Sequence, residues 1–387
     1  MSKVFLEYIW LDGNNPQNLR SKTKVVENTD ILEMEGNPKQ GYPESYPLWS
    51  FDGSSTKQAG GEEFGFNGTD CVLKPVYVVS DPFRSKSSIY TSQHKLVFCE
   101  VYNPDGKTPH KSNTRSKLRE LLTELKFKEY DANLSEVPWF GWEQEYVIIH
   151  APEPNNHFKY ESGIPLGFNY NGELQRPRPQ GDYYCGVGGL NVIGREIVEE
   201  HLTKCAEIGL DIGGINAEVL IGQWEYQIGP VTALNGSDQL WVSRYILERI
   251  VEKKGLGISY HPKPVKGDWN GSGCHVNFST KEMREKGGLK KILEACEKLS
   301  ERHKEHIQVY GEHNDLRLTG KHETSSMETF SFGNSDRGSS IRIPVHTYTN
   351  ERGYFEDRRP AANCDPYKVS NVMIETVFDK AGITVEQ

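Results

Sequence analysis

The 387-residue sequence lacks an excess of basic charge. Its 45 Lys and Arg stand against 54 Asp and Glu, a net charge of −9 with a pI near 5.8. No global footprint for nucleic acid or anionic lipid is expected, so the balance suits small ligands or ligands brought in with cations. Long apolar runs are also missing. The opening MSKVFLEYIWLDG has no basic stretch followed by an apolar core, and no segment approaches about 18 apolar residues. Neither an export signal nor a membrane span is expected, and a cytoplasmic location follows as the default. The seven cysteines (Cys71, Cys99, Cys185, Cys205, Cys274, Cys296 and Cys364) are scattered, odd in number and without a CxxC pair. That excludes a disulfide framework or zinc ribbon and points to reduced thiols. No GxxxxGK[ST] loop exists, and CGVGGLNVIG fails as a dinucleotide fingerprint because Asn191 stands in place of its third glycine. No internal repeat or low-complexity tract is present.

What is there is a chain long enough for roughly two or three domains. Residues 3–107 read as strands and turns, with KVFLEYIWLDG and KLVFCEVYNPDG each ending in Asp-Gly. Between them, residues 35–68 form a Gly-, Pro- and Ser-rich irregular segment, a kind that is usually functional or disordered. Turn residues give way to a helix starting near Ser112 or Asn113, and a domain boundary is placed there, leaving 112–387 as the second domain. Helices are expected over 189–209, 236–255 and 287–311, where apolar residues recur at three-to-four spacing before a glycine. Short strands are expected over 139–150, 214–230, 273–280, 339–346 and 353–357. Strands interrupted by helices without regular alternation indicate an α+β fold.

GINAEVLIGQWEYQIGP, residues 214–230, places Glu218 and Glu225 among Ile, Val, Leu, Trp and Tyr. Acids in such company are paired or bound to a metal. If the segment is a hairpin turning at Ile221-Gly222, partner numbers sum to 443 and Glu218 faces Glu225. Their Cβ atoms are then about 4.5–5.5 Å apart, a repulsion that a divalent cation removes. A helix would also put the two on one face, but the glycines argue against it. In GWEQEYVII, Glu143 and Glu145 share a strand face. NGSGCHVNF adds His275 after a Gly-rich turn, and GYFEDRRP adds Glu356 before paired arginines. Five glutamates and a histidine suit a hard cation such as Mg²⁺ or Mn²⁺ better than zinc. Arginine is dense toward the C-terminus, at Arg317, Arg337, Arg342, Arg358 and Arg359. Metals beside guanidinium groups are the components of phosphoryl transfer.

FDGSST, WFGWEQEY, DYYCGVG, GINAEVLIGQWEYQIGP, NGSGCHVNFST, RLTGKHET, SIRIP and GYFEDRRPAANCDPY occur in order from about residue 8 to residue 367. Together they resemble glutamine synthetase, in its eukaryotic-like type II form. The resemblance implies an N-terminal β-grasp domain (3–107) and a catalytic domain (112–387) of antiparallel strands and helices. It also implies active sites between subunits of a decamer of two pentameric rings. Glu145, Glu218 and Glu225 would hold one metal, and Glu143, His275 and Glu356 a second nearest the ATP phosphates. Arg317 and Asn270 would grip the glutamate α-carboxylate, with the loop Asp268, Trp269, Asn270 and Gly271 at its amino end. Arg337, Arg342 and Arg358 would neutralise the moving phosphoryl group. Asp52 would help to bind and deprotonate ammonium across the subunit boundary, and Glu323 would close the site against water and also help with ammonium. Trp139, Asn277, Ser279 and Tyr354, with Glu143, Glu225 and Tyr226, match nucleotide-contacting positions.

The implied reaction joins glutamate to ammonia with Mg²⁺ or Mn²⁺ and ATP. Taken alone, Asp52 reads as an ordinary turn residue, Glu323 as a solvated acid and Trp139 as core. Asp268, Asp182 and Asp336 depart from the family pattern, which usually has Asn, Pro and Asn there, and Leu316 replaces a frequent Arg. Two other readings compete, a γ-glutamyl-amine ligase and a structural protein on the same scaffold. Asp52 with Glu323 disfavours the first, and the complete ligand and arginine set disfavours the second.

Overall fold

A computed structural model describes residues 3–27, 45–59, 68–84, 93–127, 129, 136–150, 163–168 and 181–380. Of the irregular segment expected over 35–68, residues 35–44 and 60–67 lie outside the described residues. The chain divides into two compact units, Met1–Glu120 with Lys204–Leu210, and Leu121–Thr203 with Asp211–Gln387.

The first unit carries β1 (Lys3–Leu11), β2 (Leu19–Glu27), β3 (Trp49–Asp52), β4 (Asp70–Ser80) and β5 (Lys95–Tyr102). They form one sheet in the order β2-β1-β5-β4-β3, in which β1 and β5 run parallel and the other pairs antiparallel. Period-two alternation on β1 sends Val4, Leu6, Tyr8 and Trp10 into a core with Phe51, Leu73, Val97 and Val101. Glu7, on the other face, is held by Arg84 at 2.9 Å. Asp52 ends β3 and caps the following turn, its Oδ1 accepting from the Ser54 backbone at 2.9 Å. Those bonds hold its carboxyl below the usual range.

The second unit contains β6 (Trp139–His150), β7 (Ile212–Ala217), β8 (Gln223–Val231), β9 (Leu256–Ser259), β10 (Cys274–Ser279), β11 (Phe332–Asn334), β12 (Ile341–Ile343) and β13 (Phe355–Asp357). Among the described residues these make a sheet in the order β11-β12-β13-β10-β6-β8-β7, with β9 also paired to β6. Of the described pairs in this sheet, only β11 with β12 is parallel. Among the described residues of the whole chain the helices are α1 (Thr114–Glu124), α2 (Arg195–Glu207), α3 (Ala233–Lys253), α4 (Lys281–Arg284), α5 (Leu289–Glu301), α6 (His303–Val309), α7 (Val345–Asn350) and α8 (Pro366–Val377), the division between the units falling within α1 and α2. The helix expected over 189–209 begins only at Arg195. Gly194 before it has φ +84°, and a Cβ there would meet Ile148 Cδ1 at 2.5 Å. The helix expected over 287–311 is two, broken at Arg302.

Helix α3 is buried along most of its length, as befits a helix apolar on several sides. It packs on the sheet face that carries Trp142, Gln144, Tyr146 and Tyr226. Burying each of these aromatic rings contributes about 2–3 kcal/mol.

The hairpin at 214–230 forms, but its register differs from the expected one. Asn216 opposes Glu225 and Ala217 opposes Trp224, so partner numbers sum to 441 rather than 443. The reversal occupies Glu218–Gly222, with Gly222 at φ +77° against the Leu166 carbonyl, and that longer turn accounts for the slip. Glu218 lies beyond the end of β7, its backbone N–H donating to Gln223 O at 3.0 Å. A shift of two residues exchanges partners but keeps every side chain on its original face.

Candidate active site

Strand β6 lies between β10 and β8, and its alternation separates two functions. Gln144 turns toward α3, where its Oε1 accepts from Arg244 Nε and Nη2 at 2.9 and 2.6 Å. Arg244 also donates to the carbonyls of Cys364 and Ala362 at 3.0 and 3.2 Å, tying the C-terminal segment beneath the sheet. Glu143 and Glu145 take the opposite face. Cross-strand pairing then sets Glu145 beside Glu225, His275 beside Glu143, Asn277 beside Glu356, and Glu356 beside Arg342.

All six expected metal ligands, Glu143, Glu145, Glu218, Glu225, His275 and Glu356, line one cavity. Two subsets have donor atoms mutually within 4.8 Å: Glu143, His275 and Glu356, and Glu145, Glu225 and His275. The first is the expected second-metal set. In the other, His275 stands in place of Glu218, whose Oε1 accepts from Asn216 at 2.8 Å. His275 Nδ1 is buried without a hydrogen-bond partner, 3.5 Å from a Glu143 oxygen and 3.4 Å from a Glu356 oxygen. An orphaned imidazole nitrogen between two carboxylates fits a small, hard cation.

The electrostatics agree with that fit. Burial, then the charges of Glu143, Glu145 and Glu218, pushes the Glu225 carboxyl up to about 9. Burial and then Glu145 push Glu218 up to about 8, and Glu145 is itself raised by burial. Crowded acids with protons forced onto them are a site awaiting positive charge. Burial and the Arg358 charge hold His275 far below its ordinary value, so its ring is neutral, as a ligand must be. Glu145 is fixed by the Gly273 backbone at 2.9 Å and by Gln223 Nε2 at 3.1 Å.

Arg317, Arg337, Arg342 and Arg358 line the same cavity. Glu356, fully buried, accepts from Arg358 at 2.7 Å through one oxygen and from Arg342 through the other. Arg317 is buried, anchored on the carbonyls of Arg358 and Arg359 at 3.0 and 3.2 Å, and its Nη2 reaches His275 Nε2 at 3.0 Å. Burial lowers Arg317 to about 10, which leaves it charged at neutral pH. Asn270, Gly271 and Glu323 also line the cavity. Glu323 approaches Arg337 at 3.6 Å, and its carbonyl accepts from Arg358 at 3.2 Å.

The remaining expected residues lie outside that lining. Asp268 is exposed and paired with His322. Trp269 packs edge-on against Phe168 with ring centroids 5.6 Å apart. Asn277 donates to Glu143 at 2.7 Å. Trp139 lies under the Arg284 guanidinium, 4.0 Å from the ring centroid, and Arg284 also bonds Ser279 at 3.1 Å. Burial and then the Glu143 charge raise the Tyr354 phenol. Tyr226 points away: strand alternation sends it opposite to Glu225, and its hydroxyl bonds Ser243 on α3 at 2.7 Å. A nucleotide contact by the Tyr226 ring is therefore not what the fold provides. Asp52 belongs to the first unit and is described there.

Gln223, Asn216, His322 and Arg284 were not among the expected residues. Gln223 shares the strand parity of Glu225, and Asn216 opposes Glu225, so both were accessible from the alternation once the register was known. His322 sits in a turn with no periodicity to point at it.

The sequence profile described as "Glutamine synthetase, catalytic domain" matches residues 111–307. A protein named "Glutamine synthetase" from Saccharomyces cerevisiae is 46% identical over 389 residues, covering 99% of this chain and 92% of that one. "Glutamine synthetase, chloroplastic" from Chlamydomonas reinhardtii is 48% identical, covering 96% and 90%. "Glutamine synthetase" from Suillus bovinus is 45% identical, covering 98% and 94%.

Proposed function

The chain belongs to the glutamine synthetase family, and from that premise we propose how its own residues carry out the family's reaction. It is an ATP-dependent ligase that condenses L-glutamate with ammonia to L-glutamine and releases ADP and phosphate. Ammonia cannot displace oxide from a carboxylate. Moving the γ-phosphoryl of ATP onto the glutamate side chain gives γ-glutamyl phosphate, whose leaving group is phosphate.

The observation that carries the site reading is the convergence of Glu143, Glu145, Glu225, His275 and Glu356 within one cavity rimmed by four arginines. These residues and Glu218 would hold divalent cations, Mg²⁺ or Mn²⁺ by donor chemistry, which would supply charge neutralisation and a template for the phosphoryl group. Arg337, Arg342 and Arg358 stabilise charge on that group as it moves, a task of electrostatic positioning. The Glu356 carboxylate, bonded to two of them, fixes their approach. Arg317, braced by two backbone carbonyls, supplies positive charge for the glutamate α-carboxylate together with Asn270, and the Asp268–Gly271 loop receives the amino end. Trp139, Asn277, Ser279 and Tyr354 flank the nucleotide, and Arg284 joins Trp139 there. Asp52, contributed by a neighbouring subunit, takes a proton from ammonium, while Glu323 shields the acyl phosphate from water.

The five-stranded sheet of the first unit supports the β-grasp assignment over 3–107, with a catalytic domain over 112–387. Assembly into a decamer of two pentameric rings, and a cytoplasmic location, complete the reading. Among the described residues no helix is long and apolar enough to cross a membrane. The direct test measures phosphate released from ATP with glutamate in the presence of ammonia, methylamine or no amine. Release driven by ammonia supports the reading. Equal release with methylamine points to a γ-glutamyl-amine ligase, and none with any amine overturns the site.

A further inference from the structure

We propose that Asp268 and His322 form a clasp across the mouth of the pocket, which holds the Glu323 loop over the reacting groups. The proposal rests on the reading of Glu323 as the shield against water. His322 Nε2 lies 3.0 Å from Asp268 Oδ1, and the two residues come from separate segments of the chain. The Asp268 side is firm. Lys263 Nζ bonds the Trp269 carbonyl, Trp269 N donates to Gly267 O at 2.9 Å, and Ser272 N donates to Pro262 O at 2.9 Å. The Trp269 ring is pinned by Phe168.

The His322 side is strained. His322 and Glu323 are successive non-glycine residues at φ 54° and 59°, the left-handed region that side chains disfavour. The turn that carries them is closed at its base by Met327 N on Leu318 O at 3.0 Å and by the Thr319–Ser326 bridge. Strain in such a loop persists only when outside contacts hold it. Two of those contacts reach inward, from Arg337 to the Glu323 carboxylate at 3.6 Å and from Arg358 to the Glu323 carbonyl at 3.2 Å. The third contact, from His322 to Asp268, ties the loop to the separate segment that carries Asn270 and Gly271. A strained loop held by a few polar contacts is a two-state element, and the clasp biases it toward the closed state. Asp268 has a side chain 97% exposed, so replacing it changes the pair and leaves the core untouched.

Closure matters most after phosphoryl transfer, when water and ammonia compete for the same acyl phosphate. A loosened clasp therefore lets water win more often. The test uses the full-length assembled enzyme with ATP, Mg²⁺, glutamate and limiting ammonium, and counts phosphate released per glutamine formed. His322→Ala and Asp268→Ala, each of which removes one side of the 3.0 Å contact, are expected to raise that ratio above the parent's. Each also raises the KM for ammonium about two- to fivefold, the scale of one exposed polar contact. The double variant adds nothing to either single one. Singles with the parent's ratio and KM, or effects that add in the double variant, overturn the clasp. Glu323→Gln separates the two readings. If it uncouples hydrolysis while the clasp variants do not, the shield stands and the clasp falls. If it leaves coupling and kcat unchanged, the Glu323 reading falls first.

Discussion

Glu225→Gln should make the metal-free protein more stable while removing its activity. In the absence of a cation, burial and three neighbouring glutamates push Glu225 from 4.5 to about 9. A group whose folded pKa lies above its unfolded value contributes stability that is complete below the unfolded pKa and lost as pH rises through the folded one. The chelated wild-type protein therefore loses stability between about pH 4.5 and 9. A shift of that size on an isolated carboxyl corresponds to about 6 kcal/mol. Glu143, Glu145 and Glu218 share the repulsion and relax when one charge goes. The neutral amide then recovers on the order of 3 kcal/mol near pH 8.5 and much less near pH 5. The assay is thermal melting in EDTA at pH 5, 7 and 8.5, repeated with Mn²⁺. The chelated variant should melt above the chelated wild type at pH 8.5, with the gap closing toward pH 5. Excess Mn²⁺ should stabilise the wild type more than the variant. A variant that melts at or below the wild type at pH 8.5 in EDTA would refute the electrostatic reasoning.

Arg358→Ala should lower kcat by at least about 10²–10³-fold, the scale of one lost charge-stabilising donor, in a steady-state assay of ADP release. Asp357→Ala leaves Arg359 charged and fully buried after losing a 2.7 Å pair. It should cost about 3–5 kcal/mol in a denaturant titration. His201, fully buried with Nε2 3.0 Å from the Ser243 carbonyl, is lowered by burial to about 4. The stability that follows from keeping it neutral is present above about pH 6.5 and is lost as pH falls toward 4. His201→Phe should therefore show a shallower loss of unfolding free energy over that window, by about 2–3 kcal/mol in denaturant titrations.

Much of the site was readable because its chemistry is carried on short strands with strict alternation. Glu143 and Glu145 could be placed on one face from their spacing alone, and the strand around them matches Trp139–His150. The hairpin was legible, but its register was not. The turn length, set by how Gly222 packs on Leu166, decides which residue Glu225 opposes. Tyr226 shows the converse, since the same alternation that brings Glu225 into the cavity turns its neighbour's ring toward α3. His322 was illegible because its meaning comes from a partner 54 positions away in sequence, with no periodicity to announce the contact. Among the long segments, the break at Arg302 escaped the helix pattern because apolar spacing continues through it.

The two-sided character of β6 has a consequence for how this protein can change. Acids alternate there with residues clamped to a buried arginine and a central helix, so the strand obeys a parity rule. Insertion or deletion of a single codon within it would swing Gln144, Trp142 and Tyr146 into the cation cavity and drive two carboxylates against apolar packing. The loss would be total and simultaneous for catalysis and folding. Substitutions on either side can be explored one at a time, whereas length is frozen, and variation in length is expected to accumulate in the connecting turns.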